Sequence, residues 1–253
     1  MVEICALASG SNGNCYYIGN EEHAILIDAG IFYNMMLNRL ESVGLSVDKI
    51  RAAFISHEHN DHVRGAYSVC HKLQIPVFYS RNTFNNTYKT FRARQAPFFE
   101  SDVEQNVFGI KVLPFRKRHD AADPHSFVVE INDLHIGVMT DIGIADERVI
   151  AEFNKCDAVF LESNYDEQML WNGSYPYFLK QRVSSEVGHL SNKQAFELVE
   201  NYASPSLSHI FLSHISAENN TIEKALSTFD NLTKTVQILP TSREAASVVV
   251  RLD

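Results

Sequence analysis

One short motif near the N-terminal third of the chain constrains it more than any other feature. The sequence H-E-H-N-D-H occupies 57–62, after an apolar run at 51–55 that predicts a short buried strand. Neutral imidazoles bind zinc, iron, manganese or nickel, and a nearby carboxylate adds a hard oxygen ligand. The first two histidines, at a strand end, can converge on one metal, whereas the aspartate and third histidine more easily face a second. The motif therefore predicts a metal site with the candidate ligands His57, His59, Asp61 and His62.

Two metal ions need more ligands than this motif supplies. Three further residues, His119, Asp141 and His214, each come closely after an apolar run that predicts a strand, which places them at a sheet rim. His125 competes with His119, which we prefer because it lies nearer its strand end. Asp28 also ends a predicted strand, where it is either a turn residue or a hydrogen-bond acceptor for a ligand imidazole.

Length and composition set limits on the class of protein. With 253 residues, 45% of them hydrophobic, the chain can build one large core, and we expect a single domain over 1–253. No apolar run approaches the roughly 20 residues that cross a bilayer, and no signal peptide is evident. Four scattered cysteines fit a reducing compartment, so we expect a cytoplasmic protein with no membrane association. The sequence indicates no particular oligomeric state.

The charge pattern bears on possible partners. A formal net charge of -9 argues against broad attraction to nucleic acid, but it is compatible with a local basic groove. Three basic clusters are present, and solvated surface is the simplest interpretation of each. The middle cluster directly precedes His119 and is the one we favour as a groove. The clusters are Lys89, Arg92 and Arg94, then Arg116, Lys117 and Arg118, then Lys180 and Arg182.

Strands and helices are predicted to alternate along the chain. We expect a helix over 63–73, a strand over 107–115 and a helix over 191–203 that Ser191 caps.

The polar loop at 9–14 has two equally weighted interpretations. It is either a tight hairpin connection or a loop whose backbone N–H groups hold an anionic oxygen at the mouth of the site.

The order of these candidates resembles the metallo-β-lactamase superfamily, whose five motifs run Asp, H-x-H-x-D-H, His, Asp, His. The resemblance covers nearly the whole chain and implies an α/β (α+β) fold, an αββα sandwich of the metallo-β-lactamase type. It also implies two divalent ions, zinc, manganese or iron. One ion would be held by His57, His59 and His119, the other by Asp61, His62 and His214, with Asp141 bridging.

Within the superfamily the chain is similar to the YycJ (WalJ) group, close to the ribonuclease Z-like branch. Glu162 and His189 match a proton-donating pair of ribonuclease Z. The arginine that follows its last ligand is replaced here by Asn219-Asn220, and no inserted tRNA-binding arm is evident. The resemblance therefore implies a 5′-to-3′ exonuclease with DNA as substrate, not a tRNA-processing enzyme. The segments that carry it are 7–15, 119–121, 188–192 and 214–220.

The expected reaction is hydrolysis of a phosphodiester by water that two metal ions activate. Asp61 would orient this water and accept its proton, and His189, held cationic by Glu162, would protonate the leaving group. The alternatives are a thioesterase or lactonase of glyoxalase II type and a small-molecule phosphodiesterase. The Glu162–His189 pair argues against acyl chemistry, because a good leaving group needs no such acid. Candidate substrate contacts are Ser9, Asn12, Asn14, Ser216, Asn219 and Asn220.

Overall fold

The computed structural model describes residues 1–232 and 236–253. The chain forms two compact units, each with its own internal packing. The expectation of one domain over 1–253 stays a prediction. No helix within the described ranges has the length and apolarity needed to cross a membrane. Unit 1 comprises Met1–Arg116, Ala121–Leu134 and Ser242–Asp253, and unit 2 comprises Lys117–Asp120 and His135–Thr241.

Strands and helices alternate along the described chain, and the predicted mixed α/β class is confirmed. In chain order the strands are β1 (Val2–Ala8), β2 (Cys15–Gly19), β3 (Ala24–Ile27), β4 (Ile50–Phe54), β5 (Val77–Phe78), β6 (Gln105–Val107), β7 (Ile110–Arg116), β8 (His125–Ile131), β9 (Leu134–Met139), β10 (Ala158–Glu162), β11 (His209–Ser213), β12 (Gln237–Pro240) and β13 (Val250–Leu252). The helices are α1 (Tyr33–Ser42), α2 (Asn60–Val63), α3 (Ala66–Leu73), α4 (Arg81–Asn86), α5 (Glu147–Phe153), α6 (Glu167–Asn172), α7 (Tyr177–Val183), α8 (Asn192–Tyr202) and α9 (Ile222–Thr228).

In unit 1, six strands form a sheet in the order β13-β1-β2-β3-β4-β5. β2 and β3 are buried along their whole length, which fits their continuous apolar sequences and a sheet covered on both faces. β3 and β4 pair in parallel, and Ile27 lies opposite Phe54. Because parallel strands end at the same edge, this register places Asp28 beside the start of the histidine-rich loop.

Unit 1 also contains β6, β7 and β8, which pair with one another in antiparallel order. The predicted strand over 107–115 is wrong in its extent, because a turn separates β6 from β7. Phe108 and Gly109 form this turn with φ angles of 53° and 86°. A strand cannot continue through positive φ, so the chain reverses there and pairs with itself.

In unit 2, the strands β9 to β12 form a parallel sheet. The register aligns Met139 with Leu161, Leu161 with Leu212 and Leu212 with Pro240. All four strands therefore end level with one another at one edge. The side chains that follow them are brought together by the sheet, although they are far apart in sequence.

Two helix predictions have different outcomes. The expected helix over 63–73 is interrupted, since α2 ends before Gly65 and α3 begins after it. A Cβ atom on Gly65 would lie 1.9 Å from the carbonyl oxygen of Ile31, so only glycine allows this close approach. The cap of α8 is confirmed: the Ser191 hydroxyl accepts a hydrogen bond from the N–H of Gln194, and Oε1 of Gln194 accepts one from the N–H of Ser191, which completes a capping box.

Candidate metal centre

In unit 1, the histidine-rich loop is fixed at its start by one buried carboxylate. Asp28 is fully buried and has a φ of 62°, an uncommon value for a residue other than glycine. Its Oδ1 accepts the backbone N–H of Ser56 at 2.8 Å, and its Oδ2 accepts the Ser56 hydroxyl at 2.9 Å. The strand-end position of Asp28 therefore sets the path of the chain into the motif.

The same carboxylate orients His62. The Nδ1 of His62 lies 2.7 Å from Asp28 Oδ2, and both side chains are fully buried. Because a carboxylate only accepts, Nδ1 carries the proton and Nε2 keeps its lone pair for a ligand. Asp28 thus has the contact expected of a residue that supports a metal-binding imidazole.

His57 and His59 converge on each other. The hydroxyl of Ser56 donates to Asp28, so it accepts from His57 Nδ1 at 2.9 Å and leaves Nε2 of His57 available. This Nε2 lies 3.0 Å from Nδ1 of His59. Two nitrogen ligands of a tetrahedral zinc ion are about 3.3 Å apart, from zinc–nitrogen bonds of about 2.0 to 2.1 Å. The pair therefore fits two ligands of one ion.

Asp61 is held through its backbone and leaves its carboxylate partly exposed. Its carbonyl oxygen accepts the N–H of Asn14 at 2.7 Å. A side chain at Gly30 would collide with this oxygen, because a Cβ there would lie 1.7 Å from it. The carboxylate is 21% exposed, and Oδ2 lies 3.5 Å from Nε2 of His62. A carboxylate in this position is able to meet both a metal and a water molecule.

In unit 2, acidic and imidazole side chains meet at the edge where the parallel strands end. Asp141 follows β9, Glu162 ends β10 and His214 follows β11. Asp141 and His214 both have a φ of 55°, so each strand leaves the sheet through a left-handed residue. Asp141, Glu162, His189 and His214 offer ligand atoms that all lie within 4.8 Å of one another.

Glu162 organises this edge. It is fully buried, and its Oε2 accepts the backbone N–H groups of Ile142 at 2.7 Å and Leu190 at 3.1 Å. Its Oε1 lies 2.8 Å from Nδ1 of His189 and 3.2 Å from Nδ1 of His214. Burial by itself would raise the pKa of Glu162, but the charge of His189 and the hydrogen bonds of His189 and His214 outweigh it and lower that pKa to about 2. The carboxylate is therefore ionised near neutral pH.

The ring of His119 is oriented by a hydrogen bond to a backbone carbonyl. Its Nδ1 donates to the carbonyl oxygen of Gly188 at 3.0 Å, and its Nε2 lies 3.8 Å from Oδ1 of Asp141. Burial lowers the pKa of His119 to about 4, although the nearby Asp141 carboxylate acts in the opposite direction. A neutral imidazole with its Nε2 directed at a carboxylate is suited to metal binding, which favours His119 over His125.

Four of the candidate histidines share one hydrogen-bonding pattern, and this pattern tests whether the residues fit metal ions. In His57, His62, His119 and His214, Nδ1 contacts an acceptor in the protein while Nε2 faces other predicted ligands. Metal-binding histidines in proteins have this arrangement, because the outer hydrogen bond fixes the ring and its tautomer. The residues present therefore fit divalent ions. The acceptors are Ser56 Oγ, Asp28 Oδ2, the Gly188 carbonyl and Glu162 Oε1.

Most of the predicted substrate contacts have partners within the protein. Ser9 is buried and its hydroxyl lies 2.9 Å from that of Tyr16, whereas Asn12 is exposed. The buried amide of Asn14 lies 3.0 Å from Nε2 of His62. Ser216 accepts the N–H of Asn219 at 3.2 Å, so it orders its own loop. For all four, contact with substrate stays a prediction.

Asn219 and Asn220 are both buried in the loop that follows His214. The amide nitrogen of Asn220 donates to the carbonyl oxygens of Ser163 and Asn164 at 3.0 and 3.1 Å. These contacts connect the His214 loop to the end of β10. They support a structural role for Asn220, and its contact with substrate stays a prediction.

Two supporting residues were not identified from the sequence. Ser56 joins the Asp28 carboxylate to His57, and its place directly before the motif was the available signal. Asn164 donates to the backbone oxygen of His214 at 2.7 Å. No local pattern indicates this contact, because 50 residues separate its partners.

The residues of the middle basic cluster, 116–118, form ion pairs and a hydrogen bond with other residues of the protein. Arg116 lies 3.4 Å from the Asp123 carboxylate, and Arg118 lies 2.8 Å from that of Glu186. Lys117 is buried and donates to the Thr140 carbonyl at 2.6 Å. The preference for this cluster as a nucleic-acid groove is therefore not supported by its contacts.

Comparisons with known proteins agree with this geometry. Residues 8–167 match the family model of the metallo-beta-lactamase superfamily. The chain is 32% identical over 222 residues to Exodeoxyribonuclease YycJ of Bacillus anthracis, covering 87% of this chain and 84% of that protein. It is 30% identical over 230 residues to Exodeoxyribonuclease WalJ of Streptococcus pneumoniae, covering 89% and 86%.

A solved structure extends the likeness to the fold of the whole chain. The metallo-beta-lactamase fold protein YhfI from Bacillus subtilis superposes with a TM-score of 0.73 at 14% identity, covering 99% of this chain and 100% of that one. The predicted fold class is confirmed. The chain belongs to the metallo-beta-lactamase superfamily of metal-dependent hydrolases, and its relatives include the bacterial exodeoxyribonucleases YycJ and WalJ.

Proposed function

We propose that this protein is a dinuclear metal-dependent phosphodiesterase that degrades DNA from the 5′ end. The observation that carries the proposal is the pair of the buried Glu162 and the partly exposed His189 beside Asp141 and His214, with 2.8 Å between Oε1 and Nδ1. Such a pair suits a reaction whose leaving group needs a proton. The similarity to two proteins named exodeoxyribonucleases, at 30 to 32% identity, supports nucleic acid as the substrate.

The proposed metal ligands are those that the resemblance to the superfamily implies. His57, His59 and His119 would hold one ion, and Asp61, His62 and His214 the other, with Asp141 as the bridging carboxylate. Family membership and the shared orientation of the imidazoles support this assignment. We propose zinc, manganese or iron, since these ions accept imidazole and carboxylate ligands together. When bound, two such ions make hydroxide available near neutral pH and neutralise phosphate oxygens.

Side chains of the protein perform the two proton transfers of the reaction. The partly exposed carboxylate of Asp61 orients the attacking water and accepts its proton. Glu162, ionised and buried, fixes His189 with Nδ1 toward itself, so that Nε2 is the atom that gives a proton to the leaving alkoxide. The side chain of His189 is 21% exposed, which leaves it accessible to a substrate.

A cytoplasmic location fits this function, because DNA and reduced thiols coexist there. All four cysteines are free and buried, and burial raises the pKa of Cys5 to about 11. Thiols of this kind neither ligate metal nor react readily. We therefore propose a cytoplasmic enzyme in which the cysteines have no part in the chemistry.

The deciding experiment is digestion of 5′-phosphorylated single-stranded DNA and RNA with manganese or zinc, using wild type and Asp61→Asn. We expect stepwise shortening of DNA from the 5′ end by wild type and at least a 100-fold loss in the variant. Asp133→Asn is the matched control, because Asp133 is exposed in a turn with a φ of 64°, a conformation that asparagine tolerates.

Activity of Asp61→Asn near that of wild type would refute this mechanism. A protein that holds two metal ions, leaves both oligonucleotides intact and cleaves a small phosphodiester would instead be a small-molecule phosphodiesterase. Cleavage of a thioester alone would identify the glyoxalase II type of reaction.

A further inference from the structure

The segment that follows the metal motif has a charge pattern opposite to that of the whole chain. Residues 62–99 contain six of the chain's 22 lysines and arginines and none of its 31 aspartates and glutamates. The chain as a whole has a net charge of -9. Positive charge is therefore concentrated in one stretch of unit 1. Its cations are Arg64, Lys72, Arg81, Lys89, Arg92 and Arg94.

Ion pairs distinguish these cations from ten of the other cations in the described chain. Every ion pair of a lysine or arginine found within 1–232 and 236–253 involves a cation outside 62–99. Arg81, Lys89 and Arg94 are moreover exposed. Within the described ranges no carboxylate forms an ion pair with them, in contrast to Arg116 and Arg118.

Aromatic rings lie among these cations. The Arg81 guanidinium is 4.5 Å from the ring centre of Phe98, and that of Arg92 is 4.9 Å from the ring centre of Phe84. The ring centres of Phe84 and Phe98 are 5.5 Å apart and the rings meet edge to face at 76°, so the four side chains form one continuous cluster. Stacking holds the guanidinium planes in place without consuming their charge.

A further cation and further rings lie in the same segment. Arg94 lies 5.6 Å from the ring centre of Tyr67, and its guanidinium donates to the Tyr67 hydroxyl at 3.2 Å. Tyr88 is 66% exposed and Phe98 is 39% exposed, values that are high for aromatic side chains. We call this set the basic surface; it comprises Tyr67, Arg81, Phe84, Tyr88, Lys89, Arg92, Arg94 and Phe98.

The basic surface adjoins the histidine-rich loop within unit 1. Phe99, next to Phe98, packs its ring 5.1 Å from that of His125. The backbone N–H of His125 donates to the carbonyl of Ser56 at 3.0 Å, and Ser56 directly precedes the motif. Thr83, in α4, donates to the Asp123 carbonyl at 3.2 Å. A chain bound along this surface would therefore lie close to the predicted ligands of unit 1.

We propose that the basic surface binds single-stranded nucleic acid, with phosphates against the cations and bases against the exposed rings. Nucleic-acid strands supply both a regular negative charge and flat apolar faces, which is the combination this surface matches. A duplex hides its base faces, so single strands are favoured. This inference rests on the proposed function, because it names the place on the protein where its substrate lies.

The first test removes two exposed charges, together with the contact of Arg94 to Tyr67. Lys89→Gln/Arg94→Gln should raise the Kd for a fluorescent single-stranded oligonucleotide about tenfold at moderate salt, and lower the slope of log K against log salt by about 1.4. The control Lys193→Gln/Arg251→Gln changes net charge equally at exposed positions outside the segment and should leave binding near wild type. Equal Kd values for the two double variants would overturn the proposal.

The second test addresses the rings. Tyr88→Ala should weaken single-stranded binding about tenfold and leave binding to a blunt duplex little changed, because only unpaired bases offer a face for stacking. Equal losses on both forms would overturn the stacking role. Binding of the protein to anionic phosphatidylglycerol vesicles, lost in Lys89→Gln/Arg94→Gln while oligonucleotide binding is kept, would identify a lipid surface and refute the proposal.

Turnover of bis(p-nitrophenyl) phosphate separates this inference from the proposed function. The small diester needs the metal centre and not the basic surface, so both double variants should hydrolyse it at the wild-type rate. Absence of this activity in the wild-type protein would argue against the proposed phosphodiesterase function. The Kd values for the fluorescent oligonucleotide would still decide whether the basic surface binds single strands. Loss of diester hydrolysis in Lys89→Gln/Arg94→Gln would contradict the assignment of these residues to strand binding.

Discussion

Each unit supports its candidate ligands through one buried carboxylate at a strand end, but the two units reach this arrangement differently. In unit 1, Asp28 holds a continuous loop through Ser56 and His62, whose positions lie within seven residues. In unit 2, Glu162 holds His189 and His214, which come from separate segments of the chain. One carboxylate organises a local motif, and the other organises the edge of a parallel sheet.

This difference determines which contacts maintain the geometry of each group of candidate ligands. The loop of unit 1 depends on hydrogen bonds to the backbone and hydroxyl of one residue, so its geometry is local. The group in unit 2 depends on the register of β9, β10 and β11, because only the sheet brings Asp141 and His214 beside Glu162. Glu162 also lies beside His189 and His214, whose contacts lower its pKa.

The largest effect is expected from Glu162→Gln, which breaks the organising carboxylate of unit 2. The amide keeps the shape but removes the charged acceptor that orients His189, so kcat on single-stranded DNA should fall about 10²- to 10⁴-fold. The matched control is Glu152→Gln, because Glu152 is equally buried and pairs with Arg148 and Lys155. An active Glu162→Gln protein would contradict the role of this carboxylate.

The next effect separates the proton donor from the metal ligands. His189→Ala should slow cleavage of DNA about 100-fold, since its alkoxide leaving group needs a proton. Cleavage of bis(p-nitrophenyl) phosphate, which releases a stable phenolate, should fall less than about fivefold. Both rates are measured on the same metal-loaded preparation. Equal losses on the two substrates would remove the acid role from His189.

Asp28→Asn tests the organising carboxylate of unit 1. Loss of the charged acceptor for His62 should weaken metal binding about 10- to 100-fold, measured by competition with a chromogenic chelator. Asp133→Asn serves again as the control for a lost carboxylate. If Asp28→Asn bound metal as tightly as wild type, the parallel drawn between Asp28 and Glu162 would fail.

The smallest effect concerns the pH dependence of stability in the metal-free protein. The pKa of His119 is lowered from 6.5 to about 4 in the folded chain, so its contribution is fully present above pH 6.5 and is lost as pH falls toward 4. For Glu162, whose pKa is lowered from 4.5 to about 2, the contribution is present above pH 4.5 and is lost as pH falls toward 2. Both changes destabilise the fold on acidification.

Urea unfolding of the metal-free protein between pH 7 and pH 4 measures the first of these steps. His119→Gln should flatten the loss of unfolding free energy in this range, because the glutamine does not titrate. His135→Gln is the control, since His135 has an exposed side chain at the start of β9. An unchanged pH profile in His119→Gln would show that other groups govern acid unfolding.

The sequence by itself determined the local features of this protein. It predicted the ligand motif at the end of β4, the strand-end positions of Asp28, Asp141 and His214, and the Ser191 cap, because periodicity and capping depend on residues a few positions apart. The resemblance to a known family added Glu162 and His189, which no spacing indicates. In the structure, Oε1 of Glu162 lies 2.8 Å from Nδ1 of His189.

Only the tertiary structure decided which polar side chains face each other. The contact between Asn14 and His62, the carboxylates that neutralise Arg116 and Arg118, and the tie between Asn220 and the end of β10 all join residues that are distant in sequence, or depend on how loops pack. The interruption at Gly65 likewise results from the approach of Ile31. Such contacts follow from strand register and close packing, which are properties of the folded chain and not of any short stretch of it.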